Sequence, residues 1–306
     1  MSTDLIVRLP NHLGDACMAL PALRLLDTRG FALHLAGRPW AADLFAGYPW
    51  PVLPLPTARA ARVAALRRAF DGGTPALLLT NSIGSALEAR LARLRPSGYA
   101  TDLRRPLLAR AIPVPARWRD RSAPMHMVEY YHALAAAFCG GDAPPPEPEL
   151  ELAEPARARA QGLLAAANVG AGYAMLCPVA VGQHKGRVKA WDGFAALCRH
   201  LLDRGVPVAA CPGPGESEAV RAAVPGATVL PETDVATFAA LLAGSRLVVA
   251  NDSGAAHVAA AVGAPLVTIF GVTDWRRTGP WSPTAVRARR APGGPGIAGV
   301  GGAGGQ

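Results

Sequence analysis

Residues Leu247–Gly271 read LVVANDSGAAHVAAAVGAPLVTIFG. The apolar run Leu247-Val248-Val249-Ala250 is what a parallel strand buried on both faces requires. Asn251-Asp252-Ser253-Gly254 interrupts it with polar punctuation. The Ala-rich segment Ala255–Val262 then predicts a helix, closed by Gly263 and Pro265. Leu266–Phe270 predicts a second buried strand. A strand–loop–helix–strand unit delivers Asp252, Ser253 and Gly254 to the carboxyl end of a strand and the amino end of a helix. Ligands of open α/β sheets collect there, and free N–H groups with the helix dipole favour phosphate. By spacing alone Asp252 and Ser253 serve equally well as helix caps. His257 falls on the first helical turn and faces the same mouth, a position where a histidine is more often structural.

The 306 residues allow two ordinary domains with ample core. Hydrophobic residues make up 51% of the chain, which excludes a disordered protein. No apolar run is long enough to span a bilayer, and Met1–Arg8 lacks a signal-peptide pattern, so a cytoplasmic protein is expected. Five cysteines are scattered at 17, 139, 177, 198 and 211, without a CxxC pair, and read as core thiols of a reducing compartment. The net charge of +9 rests almost wholly on arginine, and both lysines, Lys185 and Lys189, fall in one loop. Such a balance suits anionic partners. No Arg/aromatic interleaving or helix-turn-helix is present, so nucleic acid is not an expected partner.

Taken in order, Leu5–Leu9 is a buried strand that runs into Pro10-Asn11-His12-Leu13-Gly14-Asp15, and a helix is predicted from about Ala16 to Asp27. There is no GxGxxG at this first turn, which weighs against NAD or FAD. Asp15 reads either as an N-cap or as a general base on a rigid element. Strands at 32–35, 52–55 and 76–80 alternate with helices at 40–46, 58–70, 85–94 and 126–139. Residues 104–121 carry six arginines (104, 105, 110, 117, 119 and 121) against Asp120. That run reads as a solvated basic loop, or as a landing surface for an anionic acceptor or membrane leaflet, with Arg104 and Arg105 as the acceptor contacts. Pro and Gly enrichment over 140–155 predicts a linker.

The second half repeats the alternation: a helix over 156–167, strands at 173–177, 206–211 and 228–230, and helices at 191–202, 216–224 and 235–243. The lysine loop, 178–190, joins the first of these strands to its helix. Glu216 follows Gly213-Pro214-Gly215 at a strand's carboxyl end, where it reads equally as a ribose-hydroxyl ligand or as a helix start. Residues 292–306 are nearly all Gly, Pro and Ala and predict a disordered tail. The expected domains are thus 1–139, a linker at 140–155, and 156–291.

The string Asn251-Asp-Ser-Gly-x-x-His-x-Ala-Ala-Ala-x-Gly-x-Pro, ending in Phe270-Gly271, resembles the donor-binding signature of the ADP-heptose:lipopolysaccharide heptosyltransferases, glycosyltransferase family nine. Leu13-Gly14-Asp15 resembles that family's amino-terminal motif. Pro178, Ala180, Lys189 and Trp191 resemble its Pro-Gly-Ala…Lys-x-Trp-Pro pattern, with Val179 in place of the Gly and Asp192 in place of the last Pro. Asn81-Ser82-x-x-Ser85-Ala86-Leu87 and Met127-Val128-Glu129-Tyr130-Tyr131 resemble segments of the second-heptose branch. The family's usual carboxy-terminal helix has no counterpart in the sequence.

The resemblance implies a GT-B fold, two Rossmann-like parallel-sheet domains facing a central cleft. It implies an inverting glycosyltransferase that moves heptose from ADP-heptose to the inner core of lipopolysaccharide. Asp15 would be the catalytic base, the first domain would take the lipid A–inner-core acceptor, and the enzyme would sit peripherally on the inner leaflet of the inner membrane. Lys189 would meet the diphosphate together with Ser253 and Gly254, and Asp252, His257 and Glu216 would complete the donor site. No metal ligand or required cofactor is implied, Mg²⁺ being at most stimulatory. A different acceptor, such as a protein Ser or Thr, another nucleotide sugar, or a donor-binding remnant without turnover are the alternative readings.

Overall fold

The structure, a computed structural model, describes residues 3–120, 122–141, 144–180, 183–184, 187–188, 190–271, 273–291 and 296–301. It divides into two compact units, Met1–Pro148 and Glu149–Gln306.

The first unit opens with β1 (Thr3–Arg8), α1 (Leu13–Met18), α2 (Leu20–Thr28), β2 (Phe31–Gly37), α3 (Trp40–Leu44) and β3 (Val52–Pro54). There follow α4 (Arg59–Ala69), β4 (Pro75–Leu78), α5 (Ile83–Leu91), β5 (Arg95–Tyr99), β6 (Arg110–Ile112) and α6 (Met127–Cys139). Its six strands form one sheet in the order β3-β2-β1-β4-β5-β6, every pair parallel. Leu5, Ile6 and Val7 of the central strand are all buried, because helices cover both faces of a parallel sheet. Each contributes about 1.5–3 kcal/mol of burial.

The second unit holds α7 (Glu154–Ala166), β7 (Ala174–Cys177), the short pair β8 (Gln183–His184) and β9 (Arg187–Val188), α8 (Phe194–Asp203), β10 (Val208–Ala210) and α9 (Ser217–Ala223). It continues with β11 (Thr228–Val229), α10 (Val235–Ala243), β12 (Leu247–Asn251), α11 (Gly254–Ala261), β13 (Leu266–Phe270), α12 (Trp275–Thr278), β14 (Val286–Arg290) and β15 (Ile297–Gly301). The main sheet runs β11-β10-β7-β12-β13-β14-β15, parallel except at the last pair. Counted along the strands of each sheet, the first has the order 3-2-1-4-5-6, the doubly wound Rossmann order, and the second has the same order with β15 added as a seventh, antiparallel edge strand. That order puts a topological switch point between β1 and β4, and another between β7 and β12.

The organising stretch folds as its pattern predicts. Its helix α11 ends in a Schellman motif: Gly263 N–H bonds the Ala260 carbonyl at 3.1 Å and Ala264 N–H bonds that of Ala259 at 3.0 Å. The motif needs a left-handed residue at Gly263, where φ is +72°.

Three expectations are corrected, and one strand is added. The first helix begins at Leu13 and breaks at Ala19, because Pro21 has no N–H for the Cys17 carbonyl and its ring crowds that position. Asp15 is consequently inside the first turn and not its N-cap, which is His12. The basic run 104–121 keeps Arg105, Arg110, Arg117 and Arg119 exposed, as the solvated reading expects, but it is not a loop throughout. Arg104 is 0% exposed, β6 runs through the segment, and Arg110 bonds the Ala137 and Phe138 carbonyls at the end of α6. Part of the Gly/Pro-rich tail is ordered, since Ile297–Gly301 pairs antiparallel with β14. Finally, β5 (RPSGY) has the composition of a turn, yet Gly98 serves packing. A Cβ there would meet Arg104 Nη2 at 3.0 Å and the Leu78 carbonyl at 3.3 Å.

Candidate functional site

In the first unit the loop after β1 carries Asp15 on α1, partly exposed while its neighbours Gly14, Ala16 and Cys17 are buried. Tyr131, a buried residue of α6, is near enough to Asp15 to influence its carboxylate. Burial raises the Asp15 pKa above its ordinary value, and the nearby His12 and the Tyr131 hydroxyl pull the other way. A half-exposed carboxylate of raised pKa suits proton abstraction, because its conjugate acid lies closer to neutrality. Burial, followed by the charge of Asp15, pushes the Cys17 thiol up to about 12, so it is not a competing nucleophile.

Beside this loop lies an arginine group that the sequence pattern does not single out. Arg8 ends β1 and donates to the Leu9 carbonyl at 2.6 Å and to Asn11 Oδ1 at 2.9 Å. Burial lowers its pKa to about 10, Glu88 opposes that shift, and Arg62 and Arg38 add to it. Glu88, whose side chain is 6% exposed, accepts from Arg62 at 2.6 and 3.0 Å and pairs with Arg59 at 3.6 Å. Three arginines, 8, 59 and 62, thus act on one buried carboxylate, and Arg38 adds its charge beside Arg8, leaving an excess of positive charge suited to an anionic ligand. Arg8 stands alone in its strand and Arg59 and Arg62 look like a helix's solvated face. Only the crossover β3–α4 brings them together.

Arg104 and Arg105 separate. Arg105 is exposed. Arg104 donates to the Tyr99 carbonyl at 2.8 Å, to the Thr80 carbonyl, and to Asn81 Oδ1 at 3.3 Å. It joins the loops after β4 and β5 from inside, so the surface contact expected of it is corrected to an internal tie.

At the second unit's switch point, Asn251 is 0% exposed. Its Oδ1 accepts from Trp191 N–H at 2.9 Å and its Nδ2 donates to the Pro178 carbonyl at 2.6 Å. One amide thereby ties β12 to both ends of the loop that carries Lys185 and Lys189. The two lysines lie outside the described residues. Val179 packs against the core around Leu176, Phe194 and Val249, with Trp191 beside it. Asp252, 8% exposed, accepts from Thr273 Oγ1 at 2.5 Å. Ser253 stands at the N-cap of α11, but its side chain makes no cap bond, and its buried Oγ has no partner among the described residues. Gly254 opens the helix, and His257, 8% exposed, lies on its first turn. A buried hydroxyl without a partner costs about 1–3 kcal/mol, which a ligand oxygen at the helix start would remove.

Glu216 turns back onto its own loop and accepts from Gly213 N–H at 3.1 Å. Glu232 accepts from Gly215 N–H and from Ser217 Oγ, both at 3.0 Å. The two carboxylates brace the turn after β10, which favours the helix-start reading of Glu216. Among the described residues, no group of three or more His, Cys, Asp or Glu is placed to hold a metal ion. No helix of the described residues is long and apolar enough to cross a membrane.

Comparison with known proteins matches residues 63–293 to a family model described as glycosyltransferase family 9 (heptosyltransferase). Lipopolysaccharide heptosyltransferase 2 of Escherichia coli K12 is 27% identical over 306 aligned residues, covering 90% of this chain and 85% of the relative. Lipopolysaccharide heptosyltransferase 3 of Escherichia coli is 34% identical over 134 residues, so that match spans only 40% of this chain and 37% of the relative. The solved structure of E. coli ADP-heptose lps heptosyltransferase II superposes with a TM-score of 0.76 at 26% identity, covering 96% of this chain and 92% of that one. The two Rossmann-like units are thus those of a GT-B fold.

Proposed function

Because this chain belongs to glycosyltransferase family 9, the heptosyltransferases, we propose that it transfers heptose from ADP-heptose to a hydroxyl of the lipopolysaccharide inner core, with inversion. One observation carries the reading. Both sheets offer chemistry at their switch points, a carboxylate poised as a base in the first and an open helix N-terminus with an unsatisfied hydroxyl in the second. Asp15 takes the proton from the acceptor hydroxyl as its oxygen attacks the anomeric carbon. The bond from that carbon to the diphosphate breaks on the opposite face, and ADP leaves with the electron pair. Positive charge builds on the sugar and negative charge on the leaving group. The N–H groups opening α11 oppose the latter, and Lys189 is proposed to join them, so no metal or other cofactor is required. Asp252, with one oxygen held by Thr273, and His257 border the heptose, and Glu216 supports the donor loop from behind.

The arginines at 8, 38, 59 and 62 suit an inner core made anionic by carboxylate or phosphate groups, and Arg105 suits an anionic lipid surface. The enzyme is accordingly proposed to work in the cytoplasm, peripherally on the inner leaflet. The test is ADP release from ADP-heptose with and without heptose-deficient lipopolysaccharide. Acceptor-dependent release that falls by about 10²–10⁴ in Asp15→Asn, with ADP binding retained, supports the reading. Full release in that variant, or no binding of ADP, overturns it.

A further inference from the structure

The two sheets share a strand order, so they share a place at which a helix N-terminus opens. In the second unit that helix is α11, which follows β12. Its counterpart in the first unit is α5, which follows β4 and has no role in the chemistry above. β1 and β4 are adjacent and parallel, so the start of α5 and the loop that carries Asp15 lie at the same edge of the sheet. Ser82 caps α5, its Oγ accepting from Ser85 N–H at 3.2 Å. Helix geometry leaves the N–H groups of Ile83 and Gly84 without an acceptor inside α5. Ile83 is 46% exposed, so this start faces solvent. A Cβ placed on Gly84 would meet Arg59 Nη2 at 3.6 Å and Ser82 Oγ at 3.9 Å. Arg59 and the cap thus border a small space that the missing side chain of Gly84 keeps open. Arg59 reaches Glu88 with Nε at 3.6 Å, but Arg62 already neutralises that carboxylate at 2.6 and 3.0 Å, which leaves the Arg59 charge for a ligand. A second, independent sign is Thr80, 9% exposed, whose buried Oγ1 has no partner among the described residues. The ladder between β1 and β4 runs on to Leu79, whose N–H bonds the Arg8 carbonyl at 3.0 Å, so alternation puts Thr80 on the side of Ala76 and Leu78. That side is the one covered by α4 and α5, through Leu66, Ala86 and Ala89.

We propose that the start of α5 is a seat for an anionic oxygen group of the acceptor, a carboxylate or a phosphate. Its donors are the N–H groups of Ile83 and Gly84, the Thr80 hydroxyl and the Arg59 guanidinium. The inference deepens the reading of this chain as a transferase to an anionic inner core, and it rests on that reading. The helix dipole adds about half a positive charge at the same point, and the N–H groups there point at the ligand. Glycine at position 84 lets an oxygen approach the backbone closely, where any side chain would hold it off. A guanidinium adds a charge-assisted hydrogen bond suited to carboxylate or phosphate. Each unit then holds one anionic partner by the same device, a helix opening behind the fourth strand of its sheet.

Two variants of the full chain test the seat, and neither threatens the fold. Alanine is a better helix former than glycine, and at position 84 its Cβ makes only ordinary contacts, so Gly84→Ala should match or exceed the parent Tm. Thr80→Val keeps the shape and removes a buried hydroxyl that has no partner, so its Tm should not fall either. KM for heptose-deficient lipopolysaccharide should rise by about tenfold in Gly84→Ala and about fivefold in Thr80→Val, with KM for ADP-heptose within about twofold of the parent. The gap between parent and Gly84→Ala should close on acceptor stripped of phosphate if phosphate is the ligand, and on acceptor with its carboxyls reduced to alcohols if carboxylate is. A gap that persists on both overturns the proposal. Binding is read without turnover by titrating inorganic phosphate, then acetate, into chain labelled with 15N-isoleucine. The Ile83 amide resonance should shift saturably in the parent and not in Gly84→Ala. An unchanged acceptor KM in both variants, with an Ile83 amide that ignores both anions, overturns the seat and leaves the transferase reading intact. No ADP release by the parent overturns the transferase reading; a saturable Ile83 shift then still supports an anion seat, and its absence overturns that as well.

Discussion

Replacing Arg104 by Met separates two accounts of the basic run, one as a surface and one as an internal tie. Met matches the length of the side chain without its charge. In the folded protein the guanidinium is fully buried and serves two backbone carbonyls, of Tyr99 and Thr80, and the Asn81 amide oxygen. Its removal leaves three acceptors short of a donor, at about 1–3 kcal/mol each, less where water reaches them. Against that, the cost of burying a cation is relieved, and burial does pull this guanidinium's pKa below its ordinary value. The balance is a destabilisation of about 3 kcal/mol. For a unit of this size that lowers Tm by about 6–12 °C. Arg105→Met, at the neighbouring exposed position, should change stability by less than about 0.5 kcal/mol. The assay is urea unfolding followed by far-UV circular dichroism, with calorimetry for Tm. Equal stabilities of the two variants, within about 1 kcal/mol, would refute the internal tie.

The other predictions follow from the same reasoning. Asp15 has a folded pKa above its ordinary 3.8, so the folded state binds more protons than the unfolded state between those two values, and stability falls as pH rises through that window. Asp15→Asn should therefore match or exceed the parent Tm at pH 7 and lose that advantage at about pH 3; a lower Tm at pH 7 would contradict it. Arg62→Ala leaves Glu88 buried with only the longer Arg59 contact, and should cost about 2 kcal/mol. Adding Glu88→Gln should recover part of that loss, and a double variant no better than the single one refutes the charge account. Asn251→Ala unties both ends of the lysine loop, and should raise KM for ADP-heptose by about tenfold or more while destabilising the fold by about 2 kcal/mol. An unchanged KM would show that the bridge does not organise the donor site.

How much of the protein was legible in the sequence depends on the range of the interactions involved. The strand–loop–helix–strand unit at 247–271, the Schellman stop at Gly263 and the alternation of buried strands with helices are local, so hydrophobic period and turn chemistry sufficed. Asp15, Asp252, Ser253 and Gly254 were visible because a motif is a local string and a parallel strand's carboxyl end is a predictable place for it. What escaped was set by contacts distant in sequence. Strand β5 hides behind Pro, Ser and Gly, because its glycine exists to admit a guanidinium six residues later. Arg104 looked like part of a solvated surface, because its burial depends on the carbonyls of Thr80, after β4, and of Tyr99, at the end of β5. The family string Met127–Tyr131 could be recognised but not explained, because Tyr130 is held by Asn81 and Tyr99, which lie tens of residues earlier. Strand order, which brings Asn251 to the ends of the lysine loop and Arg8 near Arg62, is likewise a property of the assembled sheets. Periodicity and caps are written residue by residue, whereas the pairing of a buried polar group with its partner is decided only when the chain closes on itself.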